Sequence, residues 1–325
     1  MNYKNIYILG VGGSGMSSIA KYLKQKGDNV IGYDQRKSYV TNLLNQDGIK
    51  VVHTLDEITY KPESLYIYSS AIPIESDRFE DFYDKENVLS RPEYLKNLSE
   101  NHKIIGITGT HGKTSTTALL SHIFHFNNVN VSYLYGGITT FNGIGGHYGD
   151  PDQPLILETD EAFNTFEKIK ISDLLVLNVD SDHLDYFKNL DNYKDAFYKV
   201  MKNVTDNLVI NNDDLNIKSM KDLKSPVSYG KDKSADFKVQ SPGNFKYENN
   251  KYEIKSDIIG DHFKANMLGA IILALLNGIE IEDSLNAIES FAGVKRRIEL
   301  IGISKGVLIY DDYGHHPTEM EATIT

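Results

Sequence analysis

The sequence contains no cysteine, which removes disulfides, thiolate zinc sites and cysteine nucleophiles together. That absence fits a cytoplasmic protein. Long apolar runs are missing as well. The longest, from Met267 to Leu276, falls well short of the roughly 20 residues that a membrane-spanning helix needs, and it reads as a buried helix. The first apolar run, Ile6 to Leu9, is short and enters a cluster of glycines, whereas a signal peptide has a basic start and a longer apolar stretch. Neither membrane insertion nor a targeting segment is expected. Positive charge is also scarce: 34 Lys and Arg stand against 45 Asp and Glu, a formal net charge of -11. That balance argues against a broad nucleic-acid surface. It still permits small anionic ligands wherever a few cations or a metal gather. Internal repeats and low-complexity tracts are absent.

What is present suits a globular protein. Hydrophobic residues make up 40% and charged residues 24% of the chain, the balance of a folded rather than a disordered sequence. A length of 325 residues exceeds one ordinary core and predicts two domains with a third piece. In the first hundred residues, β-branched and aromatic runs alternate with helical patterns. Ile6–Leu9, Val30–Tyr33, Val51–Val52 and Leu65–Tyr68 read as strands, and Met16, Ile19, Ala20 and Leu23 fall on one helix face. This alternation predicts an α/β fold with a parallel sheet covered on both sides.

A second start comes at Lys103–Ile107, followed by a glycine-containing loop and a helix from about Thr114. Leu155–Leu157 and Leu174–Leu177 supply further strands, residues 231–255 read as edge strands or loops, and the chain is helical again from Gly260 to about Phe291. Boundaries therefore fall near residue 100 and between Val294 and Arg297. They give a Rossmann-like unit over 1–99, a central unit with a mostly parallel sheet over 100–297, and a last piece over 298–325. That piece holds a strand at Gly306–Tyr310, a polar loop, and what reads as a helix start at Thr318–Thr325. Roughly 28 residues cannot bury a core of their own, so the chain is expected to be a fragment of a longer protein.

Two glycine loops carry the chemistry. Gly10-Val11-Gly12-Gly13-Ser14-Gly15 lies between a strand and a helix. Its glycines allow a tight turn and close backbone approach, and the helix N-terminus attracts a pyrophosphate. Asp34, after the next strand, is placed to hold a ribose. Taken alone, this loop points to a diphosphate nucleotide, of which NAD is the commonest, or to a tight turn with no ligand.

The second loop, Thr108 to Thr114, ends in Gly112-Lys113-Thr114 between a strand and a helix. Backbone N–H groups of Gly109, Thr110, His111, Gly112 and Ser115 can cradle phosphates, Lys113 can neutralise their oxygens, and the Thr114 hydroxyl can ligate Mg²⁺. It is not a strict P-loop, because Ile107 stands where the spacing requires glycine. Asp160-Glu161 and Asp182-His183 follow the next two strands, so both pairs lie beside this loop at the carboxyl ends of parallel strands. Their carboxylate and imidazole groups suit Mg²⁺ or Mn²⁺.

Together these strings resemble the Mur ligases. The resemblance is carried by residues 10–17, Ser69-Ser70-Ala71-Ile72, Arg91-Pro92-Glu93, residues 109–114, Asp182-His183-Leu184-Asp185, residues 295–299 and residues 311–319. It covers essentially the whole chain, and its nearest branch joins L-alanine to UDP-N-acetylmuramate. The resemblance implies a UDP-substrate domain, a central ATPase domain and a third domain that takes the amino acid, of which only the opening is present. It reassigns the first loop to a UDP diphosphate, with Gly12, Gly13, Ser14, Gly15, Met16, Ser69 and Ser70 around the substrate and Asp34 and His53 near the uridine.

The implied reaction is ATP-dependent amide formation through an acyl phosphate. Lys113, Glu161 and His183 would be catalytic, and Thr114, Glu161 and His183 would hold metal. His262 and Asn266 would lie at the adenine, Arg297 near the ribose or phosphates, and Tyr313 and His315 at the alanine site. The chain departs from the family pattern in reading Ala162-Phe163 after Asp160-Glu161, where the family has Ser or Tyr and then Asp. Phe263 follows His262 where asparagine is usual. Tyr198 and Lys199 lie where other branches carry a carbamylated lysine, and no such group is assigned. Three alternatives remain: a ligase that attaches a recycled peptide or serves a related cell-wall polymer, an NAD-dependent oxidoreductase, and a binding-only protein that keeps the UDP site. The 325-residue chain is expected to bind its nucleotides and to turn over poorly.

Overall fold

The computed structural model describes residues 3–162, 165–182, 184–314 and 320, without the side chains of residues 184 and 185. Among these residues the chain forms three sheets. The first is built from β1 (Asn5–Leu9), α1 (Ser14–Lys26), β2 (Val30–Tyr33), α2 (Tyr39–Gln46), β3 (Lys50–Val52), β4 (Ser64–Tyr68), β5 (Val88–Ser90) and α3 (Arg91–Ser99). Its order is β3-β2-β1-β4-β5, and every pair is parallel. The order reverses at β1, which puts the first glycine loop at the switch point where open α/β sheets bind ligands. The α1 stripe of Met16, Ile19, Ala20 and Leu23 is buried, as its spacing requires.

The second sheet follows. It uses β6 (Ile104–Thr108), α4 (Lys113–Phe126), β7 (Ser132–Thr139), β8 (Gly143–His147), β9 (Leu155–Glu158), β10 (Asp173–Val176), α5 (Leu184–Phe187) and α6 (Leu190–Lys202). It continues through β11 (Asn207–Asn211), α7 (Leu215–Ser219), β12 (Val227–Gly230), β13 (Phe237–Ser241), β14 (Asn244–Tyr247), β15 (Asn250–Glu253), α8 (Asp261–Leu276) and α9 (Ile281–Ser290). Its order is β15-β14-β13-β12-β11-β10-β6-β9-β7-β8. The middle is parallel, and the antiparallel pairs lie towards the two edges, at β13–β14–β15 and β7–β8.

The run Met267–Leu276 belongs to α8, with Met267 through Ala274 buried against the sheet. No helix is long and apolar enough to cross a membrane among the described residues. The third sheet is the hairpin β16 (Glu299–Ser304) and β17 (Val307–Asp311). Its Ile301, Ile303, Val307 and Leu308 are exposed, as expected for two strands that have no layer packed on them. Thr318 and Thr325, the ends of the anticipated last helix, lie outside the described residues.

The hairpin β7–β8 joins the first two sheets. It extends from the central sheet and lies on α1, so that a single apolar cluster runs from Ile6 through Ile144 and Leu134 to Phe197. At Gly146 an added Cβ would sit 2.0 Å from the Ser18 carbonyl oxygen, so only glycine fits. Lys21 reaches across this seam from α1 and donates to the carbonyls of Asn142 and Ile144. Burial lowers its pKa, Asp47 opposing. These bonds tie α1 to the β7–β8 turn and to β8.

His122 of α4 shows how the helices on the other face are tied. Its Nε2 lies 3.1 Å from the Ala287 carbonyl and 3.0 Å from Ser290 Oγ on α9. Burial holds its pKa below the ordinary histidine value of 6.5, despite the Ala287 hydrogen bond. The folded state therefore binds a proton less readily than the unfolded chain. Stability is complete above about pH 6.5 and falls as pH drops from there towards the lower folded pKa, by at most ~1.4 kcal/mol per pH unit. Urea unfolding between pH 7.5 and 5 is expected to show this loss, with a shallower slope in His122→Gln. An identical slope in both proteins would contradict it.

Candidate active site

The loop between β6 and α4 wraps around the Lys113 ammonium. Gly109 and Gly112 have φ of +145° and +86°, conformations that side chains resist, and they turn the backbone back on itself before α4. Lys113 Nζ donates to the carbonyls of Gly109 (2.6 Å) and Thr110 (3.0 Å) and pairs with Glu161 at 3.0 Å. Glu161 is fully buried and the Lys113 side chain 14% exposed. Burial works against this ammonium, but Glu161, with Asp160 behind it, outweighs that cost and holds its pKa above the ordinary lysine value. The lysine is thus charged and held within the loop by two carbonyls and one carboxylate.

Other elements lock the loop. Asn178, just past β10, accepts from His111 N (2.8 Å) and donates to His111 O (2.9 Å), an amide clamp on the backbone of a single residue. Thr110 Oγ1 accepts from Asp180 N and lies 3.0 Å from Tyr193 OH. Tyr193, buried on α6, in turn donates to Glu161 at 3.3 Å. His111 Nε2 lies 3.4 Å from Asp180 Oδ2.

A cavity of about 550 Å³ opens over this loop, within the usual size range of small-molecule sites. It lies along the carboxyl ends of β6, β9, β10 and β11. Thr110, His111, Gly112, Lys113, Thr114, Ser115, His262, Asn266 and Arg297 all line it, so the residues assigned to ATP meet at one place. Gly109 contributes through its carbonyl to Lys113. Phe263 lines the same cavity, and its ring centroid lies 4.5 Å from that of His262.

The carboxylates are arranged differently from the sequence expectation. Thr114 and Glu161 were expected to share a cation, but Thr114 Oγ1 donates to Glu158 at 2.6 Å, while Glu161 takes the lysine. Glu158 is the last residue of β9. Its second oxygen accepts from Gly136 N of β7 at 2.6 Å. Asn178, Tyr193 and Glu158 were not anticipated. Glu158 was within reach, since it directly follows the buried run Leu155–Leu157 at the carboxyl end of a strand beside the loop. His183 and His315 lie outside the described residues. Tyr313 is exposed and stacks with the Arg296 and Arg297 guanidinium groups, 5.0 and 5.3 Å from its ring centroid.

At the first loop, Gly10 (φ +79°) turns under Tyr33, whose carbonyl accepts from both Gly10 and Val11. Gly13 caps α1 without a side-chain bond, and Gly13 and Ser14 face solvent. Asp34 accepts from Gly12 N (2.8 Å) and Arg36 N (2.9 Å), and His53 Nδ1 lies 2.8 Å from the Asp34 carbonyl. Asp34 and His53 thus shape the loop from below. Ser69 packs against Gly10 and Ser70 is exposed beyond it. The Met16 side chain is buried in the core, which leaves only its backbone for a ligand. Gly15 lies under Arg91.

The two loops approach each other at β7. An added Cβ at Gly136 would lie 3.1 Å from Ser14 Oγ and 3.4 Å from Glu158 Oε2. Ser14 of the first loop and Thr114 of the second therefore flank one short bridge, Gly136–Glu158. Two sheets of an α/β protein thus each present a glycine loop to a common seam.

The chain belongs to the Mur ligase family. Residues 5–103 match the model described as Mur ligase family, catalytic domain, and residues 107–274 the Mur ligase middle domain. The UDP-N-acetylmuramate–L-alanine ligase of Caldicellulosiruptor saccharolyticus is 35% identical over 98% of this chain, and that of Cytophaga hutchinsonii 32% over 98%. The chain spans 73% of the length of each. Among solved structures, the UDP-N-acetylmuramate–alanine ligase of Thermotoga maritima superimposes with a TM-score of 0.84 at 25% identity, covering 98% of this chain and 76% of that one. The UDP-N-acetylmuramate:L-alanyl-γ-D-glutamyl-meso-diaminopimelate ligase of Neisseria meningitides shares the fold, with a TM-score of 0.76 at 23% identity, over 91% of this chain and all of that one.

Proposed function

We propose that this chain supplies the acid-activating part of an ATP-dependent ligase that joins L-alanine to the carboxylate of UDP-N-acetylmuramate, in the synthesis of peptidoglycan precursors. The observation that carries this reading is the bridge Ser14–Gly136–Glu158–Thr114, which sets a UDP-type loop and an ATP-type loop side by side. The choice of L-alanine over a peptide rests on the relatives at 32% and 35% identity.

The UDP diphosphate lies on the N-terminus of α1, and the muramoyl carboxylate points towards Glu158. ATP occupies the cavity with its phosphates on residues 109–115 and its adenine towards His262 and Asn266. A carboxylate oxygen attacks the γ-phosphorus and ADP departs, leaving an acyl phosphate. The alanine amine then attacks the acyl carbon, loses a proton, and inorganic phosphate leaves. Positioning and charge neutralisation do most of this work. Lys113 turns from its carbonyl cage to the phosphates, and Glu161 keeps it charged.

Among the described residues no cluster of three His, Cys, Asp or Glu side chains forms a metal site. The Thr114 hydroxyl and Glu158 carboxylate, 2.6 Å apart, are nevertheless hard oxygen donors of the kind Mg²⁺ takes when phosphate oxygens complete its shell. Thr114 and Glu158 would therefore hold Mg²⁺, or Mn²⁺, which supplies neutralisation of the charge on the β- and γ-oxygens. Glu158→Gln keeps the bond to Thr114 but loses the charge. It is expected to weaken ATP binding at millimolar Mg²⁺ by roughly tenfold or more while leaving ATP binding in EDTA unchanged. Equal weakening in both conditions would show that Glu158 acts on the loop and not on the cation.

The amine side is less complete. Tyr313 is held chiefly by Arg296 and Arg297, beside a hairpin with exposed apolar faces, so the 325-residue chain is expected to bind both nucleotides and to release phosphate slowly with alanine. The test is calorimetric titration with UDP-N-acetylmuramate, with NADH as control. Binding of the UDP-sugar alone is the expected result. Binding of NADH alone would instead assign the first loop to hydride-transfer chemistry.

A further inference from the structure

Arg91 opens α3, yet the helix start does not depend on its side chain. Ser90 and Glu93 form a reciprocal capping box there, and Pro92 follows within the first turn. The guanidinium runs instead to the seam between the two sheets. Its Nε lies 2.8 Å, and its Cζ and Nη2 3.1 Å, from where a Gly15 Cβ would stand, so it lies flat on the first turn of α1 in space that only glycine leaves. Nη1 is 3.9 Å from Asp160 Oδ2, a loose contact for a group able to bind carboxylates through two parallel hydrogen bonds. Nε is buried and has no hydrogen-bond partner among the described residues. With Gly136 and Glu158, Arg91 also lines a gap of about 10 Å³.

We propose that Arg91 binds the carboxylate of the UDP-sugar acid and holds it for phosphorylation. The inference rests on the function proposed above and names the residue that recognises the reacting group. A buried, unpaired N–H of a cation is costly, and here it lies beside a helix N-terminus that also favours an anion. An arriving carboxylate satisfies both. The position favours this anion over the diphosphate. Arg91 lies around one gap with Gly15, Gly136 and Glu158, and Gly136 and Glu158 are the bridge between Ser14 and Thr114 across which the acid must reach the γ-phosphate. One carboxylate oxygen held by the guanidinium leaves the other to attack.

The test compares UDP-N-acetylmuramate with UDP-N-acetylglucosamine, which lacks the lactyl carboxylate, by titration into the wild-type chain, Arg91→Gln and Arg91→Lys. Thermal unfolding of each variant checks that it folds. The expected result is that wild type prefers the acid and that Arg91→Gln weakens the acid about 10–100-fold. Binding of UDP-N-acetylglucosamine should stay within about twofold, and Arg91→Lys should restore part of the preference. Equal weakening of both ligands would make Arg91 a strut between the sheets, and unchanged affinities would remove it from the site, so either result overturns the proposal. Wild-type chain that binds neither ligand would refute the UDP-sugar reading itself, a failure visible before any variant is made.

Discussion

Lys113→Ala is expected to destabilise the fold by about 3–5 kcal/mol and to abolish measurable ATP binding. The stability loss comes from what is left behind. Glu161 is fully buried, and removing Lys113 takes away the countercharge 3.0 Å from it while the Tyr193 hydrogen bond cannot neutralise the carboxylate. Burial already pushes the Glu161 pKa above the ordinary carboxylate value, with Lys113 opposing, and without Lys113 it rises further. A raised acid pKa means that the folded state binds the proton more tightly than the unfolded chain. The variant's stability is therefore highest below about pH 4.3, the unfolded value, and is lost as pH rises through the folded pKa. The double variant Lys113→Met/Glu161→Gln should regain most of the stability at neutral pH and still fail to bind ATP. Denaturant unfolding with ATP titration separates the two roles, and a stable single variant at pH 8 would contradict the charged-pair account.

Gly112→Ala is expected to weaken ATP binding by more than tenfold and to cost about 1–3 kcal/mol of stability. Two independent obstacles meet at this position. The φ of +86° is one that L side chains resist, and the new methyl would stand 2.4 Å from Asn266 Nδ2. Asn266 is buried on α8 and lines the cavity, so either its amide moves into the space assigned to ATP or the loop yields. Shortening the opponent with Asn266→Ala removes the clash but not the backbone strain. The double variant should therefore recover only part of the lost stability. Full recovery would show that the strain at φ contributes nothing.

Much of this architecture was legible because its strands are buried on both faces and its helices start at glycine loops. Ile6–Leu9, Val30–Tyr33 and Lys103–Ile107 stand out as apolar runs, and β1, β2 and β6 occupy them. The hairpin β7–β8 was not legible. Gly136, Gly137, Gly143, Gly145 and Gly146 look like loop residues, but Gly136, Gly143 and Gly146 lie close to α1, Gly137 to Thr114 and Val294, and Gly145 to Tyr135, contacts that no local pattern announces. The edge strands β13–β15 were legible only as a weak alternation over 231–255, since one side of an edge is not required to be apolar.

At the site, the loop residues were singled out by pattern, and His262, Asn266 and Arg297, assigned by resemblance, line the same cavity. The contacts of the carboxylates were not legible, because Asp160, Glu161 and Glu158 lie within four positions and their partners depend on which way β9 ends. The strand places Glu158 towards Thr114 and Gly136. The turn after it sends Glu161 under the loop to Lys113. Asn178 and Tyr193 carry no motif at all, and act by holding backbone and hydroxyl groups that sequence alone does not bring together.

The central claim is that two different nucleotides occupy two loops of one chain, joined at Glu158. Calorimetric titration of a non-hydrolysable Mg-ATP analogue into chain already saturated with UDP-N-acetylmuramate tests it most directly. The account predicts a second 1:1 binding event, with affinity equal to or tighter than that of the free chain. Displacement of the UDP-sugar by the ATP analogue would mean a single nucleotide site and would contradict the account.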